Sequence, residues 1–145
     1  MQLQINLPGY EALKVEINNE GEIAAYQLEC SSITLELFKK CIDHFGLKLN
    51  SWDLSQIKIE GQNKLELRRS EYLLQELILK AKGTWELPFS GQIVCNCREV
   101  YSETIDQALV AGAQTIEDIT YWTTACSSCT SCKSKIEDLI RFRSS

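Results

Sequence analysis

Cys95-Asn96-Cys97 and Cys129-Thr130-Ser131-Cys132 form a C-x-C and a C-x-x-C with thirty-one residues between them. Thiolates are soft ligands, and four of them arriving in two short loops suit either a tetrahedral zinc ion or an iron–sulfur cluster. In a secreted chain seven cysteines would suggest disulfides; in a reducing compartment clustered thiols more often hold metal or do redox chemistry.

The elements that must position these thiols are helical. Ser102 is placed to cap a helix carrying Ile105, Ala108 and Leu109, and Gly112 to end it. Thr115-Ile116-Glu117-Asp118 has the capping-box pattern of a second helix, to about Trp122. A last helix begins near Ser131 and carries Ile136, Leu139, Ile140 and Phe142. Cys129 and Cys132 then fall where free backbone N–H groups favour negative charge. So small a unit buries little core, and a bound cluster would double as a staple.

Residues ahead of this unit read as α+β. Leu3, Ile5 and Leu7, then Leu13, Val15 and Ile17, alternate with polar neighbours as half-buried strands do. Asn18-Asn19-Glu20-Gly21 is a hairpin turn, followed by a strand over about 22–29. A helix capped by Ser31 or Ser32 carries Ile33, Leu37, Cys41, Ile42 and Phe45 and stops at Gly46. Ser51 or Asp53 caps a short helix through about Ile57. Residues 58–67 fit either a strand or an extended connection, and a helix runs from Ser70 to Gly83. The expected organisation is an α+β domain at 1–83 with a small antiparallel sheet, a linker at 84–92 with Pro88 and Gly91, and an all-α domain at 93–145.

Charge and composition exclude several classes. The net charge of −5 shows no basic footprint for nucleic acid. No apolar run approaches membrane-spanning length, and Met1-Gln2-Leu3-Gln4 lacks the basic and apolar regions of a signal peptide. A cytoplasmic protein with no membrane partner is expected. No nucleophile–base pair, phosphate loop or paired carboxylates in a recognisable motif stand out, so no enzyme active site is read.

Val94-Cys95-Asn96-Cys97, Ala111-Gly112-Ala113-Gln114-Thr115, and Thr124-Ala125 ahead of Cys129-x-x-Cys132 resemble the [2Fe-2S] domain of bacterioferritin-associated ferredoxin (BFD). That module also occurs within the nitrogen-fixation scaffold protein NifU and in some nitrite reductases. The resemblance covers about 92–142. It implies a compact helical fold and a [2Fe-2S] cluster held by Cys95, Cys97, Cys129 and Cys132. Cys126 stands where the family more often has glycine; it creates C-x-x-C-x-x-C and is a candidate auxiliary thiol, with small-residue packing as the plainer alternative. The remote cysteine followed by proline of bacterial [4Fe–4S] ferredoxins is absent.

Leu13-Lys14-Val15-Glu16-Ile17 with Gly21-Glu22-Ile23, then Cys30-Ser31-Ser32, a helix, Gly46, and Leu67-Arg68-Arg69-Ser70 resemble the U-type iron–sulfur scaffold domain. The whole would then be a shortened NifU-like protein. Of the scaffold's three cluster-building cysteines only Cys30 remains, with Gly9 and Arg69 at the other positions. A lone thiolate cannot hold a labile cluster, so such a domain implies docking or dimerisation as a homodimer. Cys30 is a candidate persulfide site, weighed against an inert structural thiol. Cys41 reads as core and His44 as a capping or surface residue.

Three functions follow. The first is one-electron transfer with a redox partner protein. The second is cluster assembly or delivery with a cysteine desulfurase or an apo-acceptor protein. The third is a zinc-stabilised interaction module.

Overall fold

The computed structural model describes residues 1–59, 63–95, 98–125 and 132–144. They divide into two compact units, Met1–Trp85 and Glu86–Ser145.

In the first unit β1 (Gln2–Leu7), β2 (Glu11–Ile17) and β3 (Ile23–Glu29) form an antiparallel sheet in the order β1-β2-β3. The register pairs Leu3 with Val15 and Ile5 with Leu13, so one face collects the apolar alternation and is buried. Asn18 Oδ1 accepts from the Glu20 and Glu22 amides and shapes the β2–β3 turn. Helix α1 (Ser32–Phe45) is capped by Ser31, whose hydroxyl accepts from the Thr34 amide. Phe38 is fully buried between Tyr26 and Trp52, with ring centroids at 5.0 and 5.3 Å.

The ambiguous stretch 58–67 is helix from Lys64 onward, with 60–62 outside the described residues. Asn63 accepts from the Leu65 and Glu66 amides and starts α2 (Lys64–Lys82) six residues ahead of Ser70. Its first turn, Lys-Leu-Glu-Leu, is half-exposed and carries no apolar stripe, which is why periodicity missed it. Gly83, in the left-handed region at φ 73°, ends the helix. The short helix expected after Asp53 is a single 3₁₀ turn, Leu54–Gln56.

The second unit corrects the all-α expectation. Ile93–Cys95 (β4) and Val100–Tyr101 (β5) pair antiparallel ahead of α3 (Ser102–Ala111), α4 (Ile116–Thr123) and α5 (Lys133–Ser144). A helical reading passed over Ile93-Val94 and Val100-Tyr101, whose β-branched and aromatic side chains suit a pleated, half-buried pair. Ser102 is the first residue of α3 and not its cap. The Thr115–Asp118 capping box is present. Ile105, Leu109, Ile119, Ile136 and Leu139 fill the core. Buried Asp106 and Arg143 join α3 to α5 through two bonds, Nε–Oδ1 at 2.6 Å and Nη2–Oδ2 at 2.7 Å.

Residues expected as a linker are partly packed. Leu87 is buried, and the turn ahead of β4 bonds to the start of α3.

Candidate metal centre

Cys95 closes β4, where Val94 and Cys95 are both buried and Cys95 pairs with Val100. It is 2% exposed and carries a free thiol. Cys132 directly precedes α5, is 4% exposed, and its carbonyl accepts from the Ile136 amide at 3.1 Å. Cys97, Cys126 and Cys129 lie outside the described residues. Among the described residues no three metal-ligating side chains converge.

The surroundings of these two sulfurs fit an anionic thiolate-bound group. Both are withdrawn from water in a small core, one at a strand end and one at a helix start. The first amides of α5 have no partner within the helix. Lys133 and Lys135 stand in that first turn.

Residues 93–141 match the family of the BFD-like [2Fe-2S] binding domain. The cofactor of the second unit is therefore a [2Fe-2S] cluster, and the chain binds iron–sulfur. The BFD-like domain spans β4 through most of α5, so both described thiols lie inside it. No curated protein and no solved structure matches the chain. The comparisons lend no support to a scaffold family for residues 1–83.

In the first unit the structure draws the neighbourhoods of Gly9, Cys30 and Arg69 together. The Arg69 guanidinium lies 4.4 Å over the Tyr10 ring. Glu11 Oε1 accepts from the Ser31 amide at 3.2 Å and from the hydroxyls of Ser31 and Thr34. Thr34 and Ser70 share a 2.7 Å hydroxyl–hydroxyl bond. Cys30 is half-buried beside this cluster. Burial, and then the Glu11 charge, push its thiol above the ordinary cysteine range, so it is protonated and weakly nucleophilic at neutral pH. Cys41 is fully buried in the helix core, and burial pushes its thiol up to about 11. His44 sits exposed in the last turn of α1, edge-on to Phe45.

Sequence reading passed over Glu11, although a signal was there. It continues the inward alternation of Leu13, Val15 and Ile17, which marks it as a carboxylate turned into the core; it is 5% exposed. Its Oε2 is buried with no hydrogen-bond partner. Asp106 and Arg143 were passed over too. They are 37 residues apart, and no local pattern couples them.

Proposed function

We propose that this chain is a NifU-like carrier protein whose [2Fe-2S] cluster is ligated by Cys95, Cys97, Cys129 and Cys132 and serves one-electron transfer. The observation that carries the reading is the pair of buried sulfurs at the end of β4 and the head of α5, inside the matched segment. A cluster of this type takes up and gives back one electron at a time. The chain's own part is to exclude water from Cys95 and Cys132 and to set the amides and lysines of α5's first turn beside the thiolates. Cys126, which creates C-x-x-C-x-x-C, is a candidate auxiliary thiol, with small-residue packing as the plainer alternative. We read no catalytic residue, and place the chain in the cytoplasm, where a reducing environment keeps ligand thiols available.

A second reading, cluster assembly or delivery, is favoured by one observation. The contacts of Tyr10 with Arg69, Glu11 with Ser31, and Thr34 with Ser70 gather the three positions that a U-type scaffold would use. With Gly9 and Arg69 there and the Cys30 thiol held protonated, the site does not build a cluster. The first unit is then a docking or dimerising domain, and the partner is a cysteine desulfurase or an apo-acceptor protein rather than a redox protein.

The test is an absorption spectrum and metal count on protein purified without oxygen, repeated for Cys95→Ser, Cys126→Ser and Cys30→Ser. Visible bands with about two iron and two sulfide per chain, lost in Cys95→Ser and kept in the other two, support the ligand set. A colourless protein with one zinc per chain overturns it. Reversible redox cycling then favours the carrier, and transfer to an apo-acceptor favours delivery.

A further inference from the structure

The turn over residues 89–92 is held by residues of α3 and α5. Glu103, in the first turn of α3, accepts the Gly91 amide on both carboxylate oxygens, at 3.0 Å on Oε1 and 2.8 Å on Oε2. It also accepts from the Ser102 hydroxyl at 2.9 Å and the Ser90 hydroxyl at 3.3 Å. Ser102 closes the arrangement, its hydroxyl donating to the Phe89 carbonyl at 2.8 Å and its amide to the Gln92 carbonyl at 3.1 Å.

Within the turn Phe89 has φ 58°, a left-handed conformation that a bulky side chain adopts only when its surroundings enforce it. Gly91, at φ 73°, is where such a backbone is cheap. From the other side, the Lys135 ammonium lies 5.5 Å over the Phe89 ring. The turn feeds β4, which ends at Cys95; Lys135 stands three residues beyond Cys132.

We propose that Glu103 is a positioning residue for the cluster, clasping the Phe89–Gln92 turn so that the strand bearing Cys95 and the helix following Cys132 are held in one fixed relation. Although partial burial pushes the other way, the bonds from Gly91, Ser102 and Ser90 hold the Glu103 carboxyl below the usual glutamate range, so it is charged at neutral pH. Charge-assisted bonds to a backbone amide are stronger than neutral ones. Gln in its place keeps one acceptor oxygen and loses the charge; Ala loses both.

The proposal rests on Cys95 being a ligand, and the experiment separates the two. In reduced, metal-free full-length protein, the alkylation rate of Cys95 is followed by peptide mass spectrometry in wild type, Glu103→Gln, Glu103→Ala and Asp106→Asn. The last breaks the other α3 tie in the same unit, away from the turn. Cluster-loaded samples of the four are compared by electron paramagnetic resonance g-values and by the rate of cluster loss to a chelator.

Opening of the clasp raises Cys95 alkylation by roughly tenfold in Glu103→Ala and less in Glu103→Gln. The g-values shift and chelation accelerates in the same order. Asp106→Asn lowers the melting temperature without moving the g-values. Equal alkylation in wild type and Glu103→Ala overturns the proposal. So does an Asp106→Asn protein with the same alkylation and spectral changes, because Glu103 would then be one stabilising residue among others. If wild type fails to load a cluster, the ligand reading falls and the alkylation series still decides the clasp.

Discussion

Cys41 and Cys95 are both withdrawn from water, yet their settings differ in kind. Cys41 lies on the apolar stripe of α1, with Leu37 and Phe38 among its buried neighbours in the helix, and burial alone pushes its thiol up to about 11. Cys95 ends a three-residue strand in a unit whose second buried sulfur heads a helix with Lys133 and Lys135 in its first turn. The first unit places a cysteine on the apolar stripe of a helix, and the second places two at element ends, one closing β4 and one heading α5. Burial thus does not decide a cysteine's role; what decides it is whether donors and positive charge accompany the burial.

Cys95→Ser puts the largest effect on this contrast. Visible absorption should vanish in that variant and persist in Cys41→Ala, with iron content measured alongside; colour surviving in Cys95→Ser breaks the comparison. Next come two matched destabilisations. Phe38→Ala, which opens a cavity between Tyr26 and Trp52, should cost about 3–5 kcal/mol in chemical denaturation followed by circular dichroism. Arg143→Met removes the guanidinium that pairs with the buried Asp106 carboxylate and should cost about 3–5 kcal/mol. If the units are as distinct as their cores, the first lowers stability without speeding cluster loss, and the second lowers stability without shifting the cluster's g-values.

Thr34→Val keeps the shape but removes a hydroxyl that bonds both Glu11 and Ser70; about 1–3 kcal/mol of destabilisation is expected. No change would mean that the polar cluster is not a stabilising element. The smallest effect is alkaline. A thiol whose folded value is raised contributes stability that is fully present below its unfolded value, and loses it as pH rises through the folded one. For Cys41 that window runs from the ordinary 9.0 to about 11. Cys41→Ala should therefore lose less stability than wild type between these pH values in parallel urea titrations.

Much of this contrast was legible in the chain. Leu3, Ile5, Leu7 and Leu13, Val15, Ile17 announced two strands because their period of two matches a half-buried pleat. Thr115 and Asp118 announced a helix start because a capping box is a contact between residues three apart. The α2 start at Asn63 was not legible, since an exposed first turn has no apolar stripe to display. The β4–β5 pair was hidden because three-residue and two-residue strands are too short for a period to show. At the metal centre, spacing singled out Cys95 and Cys132, and Glu103 went unnoticed: its partners Gly91 and Ser90 are 12 and 13 residues away.

By itself, then, the sequence determined what depends on near neighbours: alternation, helix caps, and the pairing of C-x-C with C-x-x-C that matches a [2Fe-2S] domain. Only the tertiary structure decided which polar groups meet across the chain. Glu11 with Ser31 and Thr34, Asp106 with Arg143, and Lys135 with Phe89 are joined over 20 to 46 residues. The physical reason is that a buried charge is tolerable wherever folding delivers a partner, and no local pattern records where that partner lies.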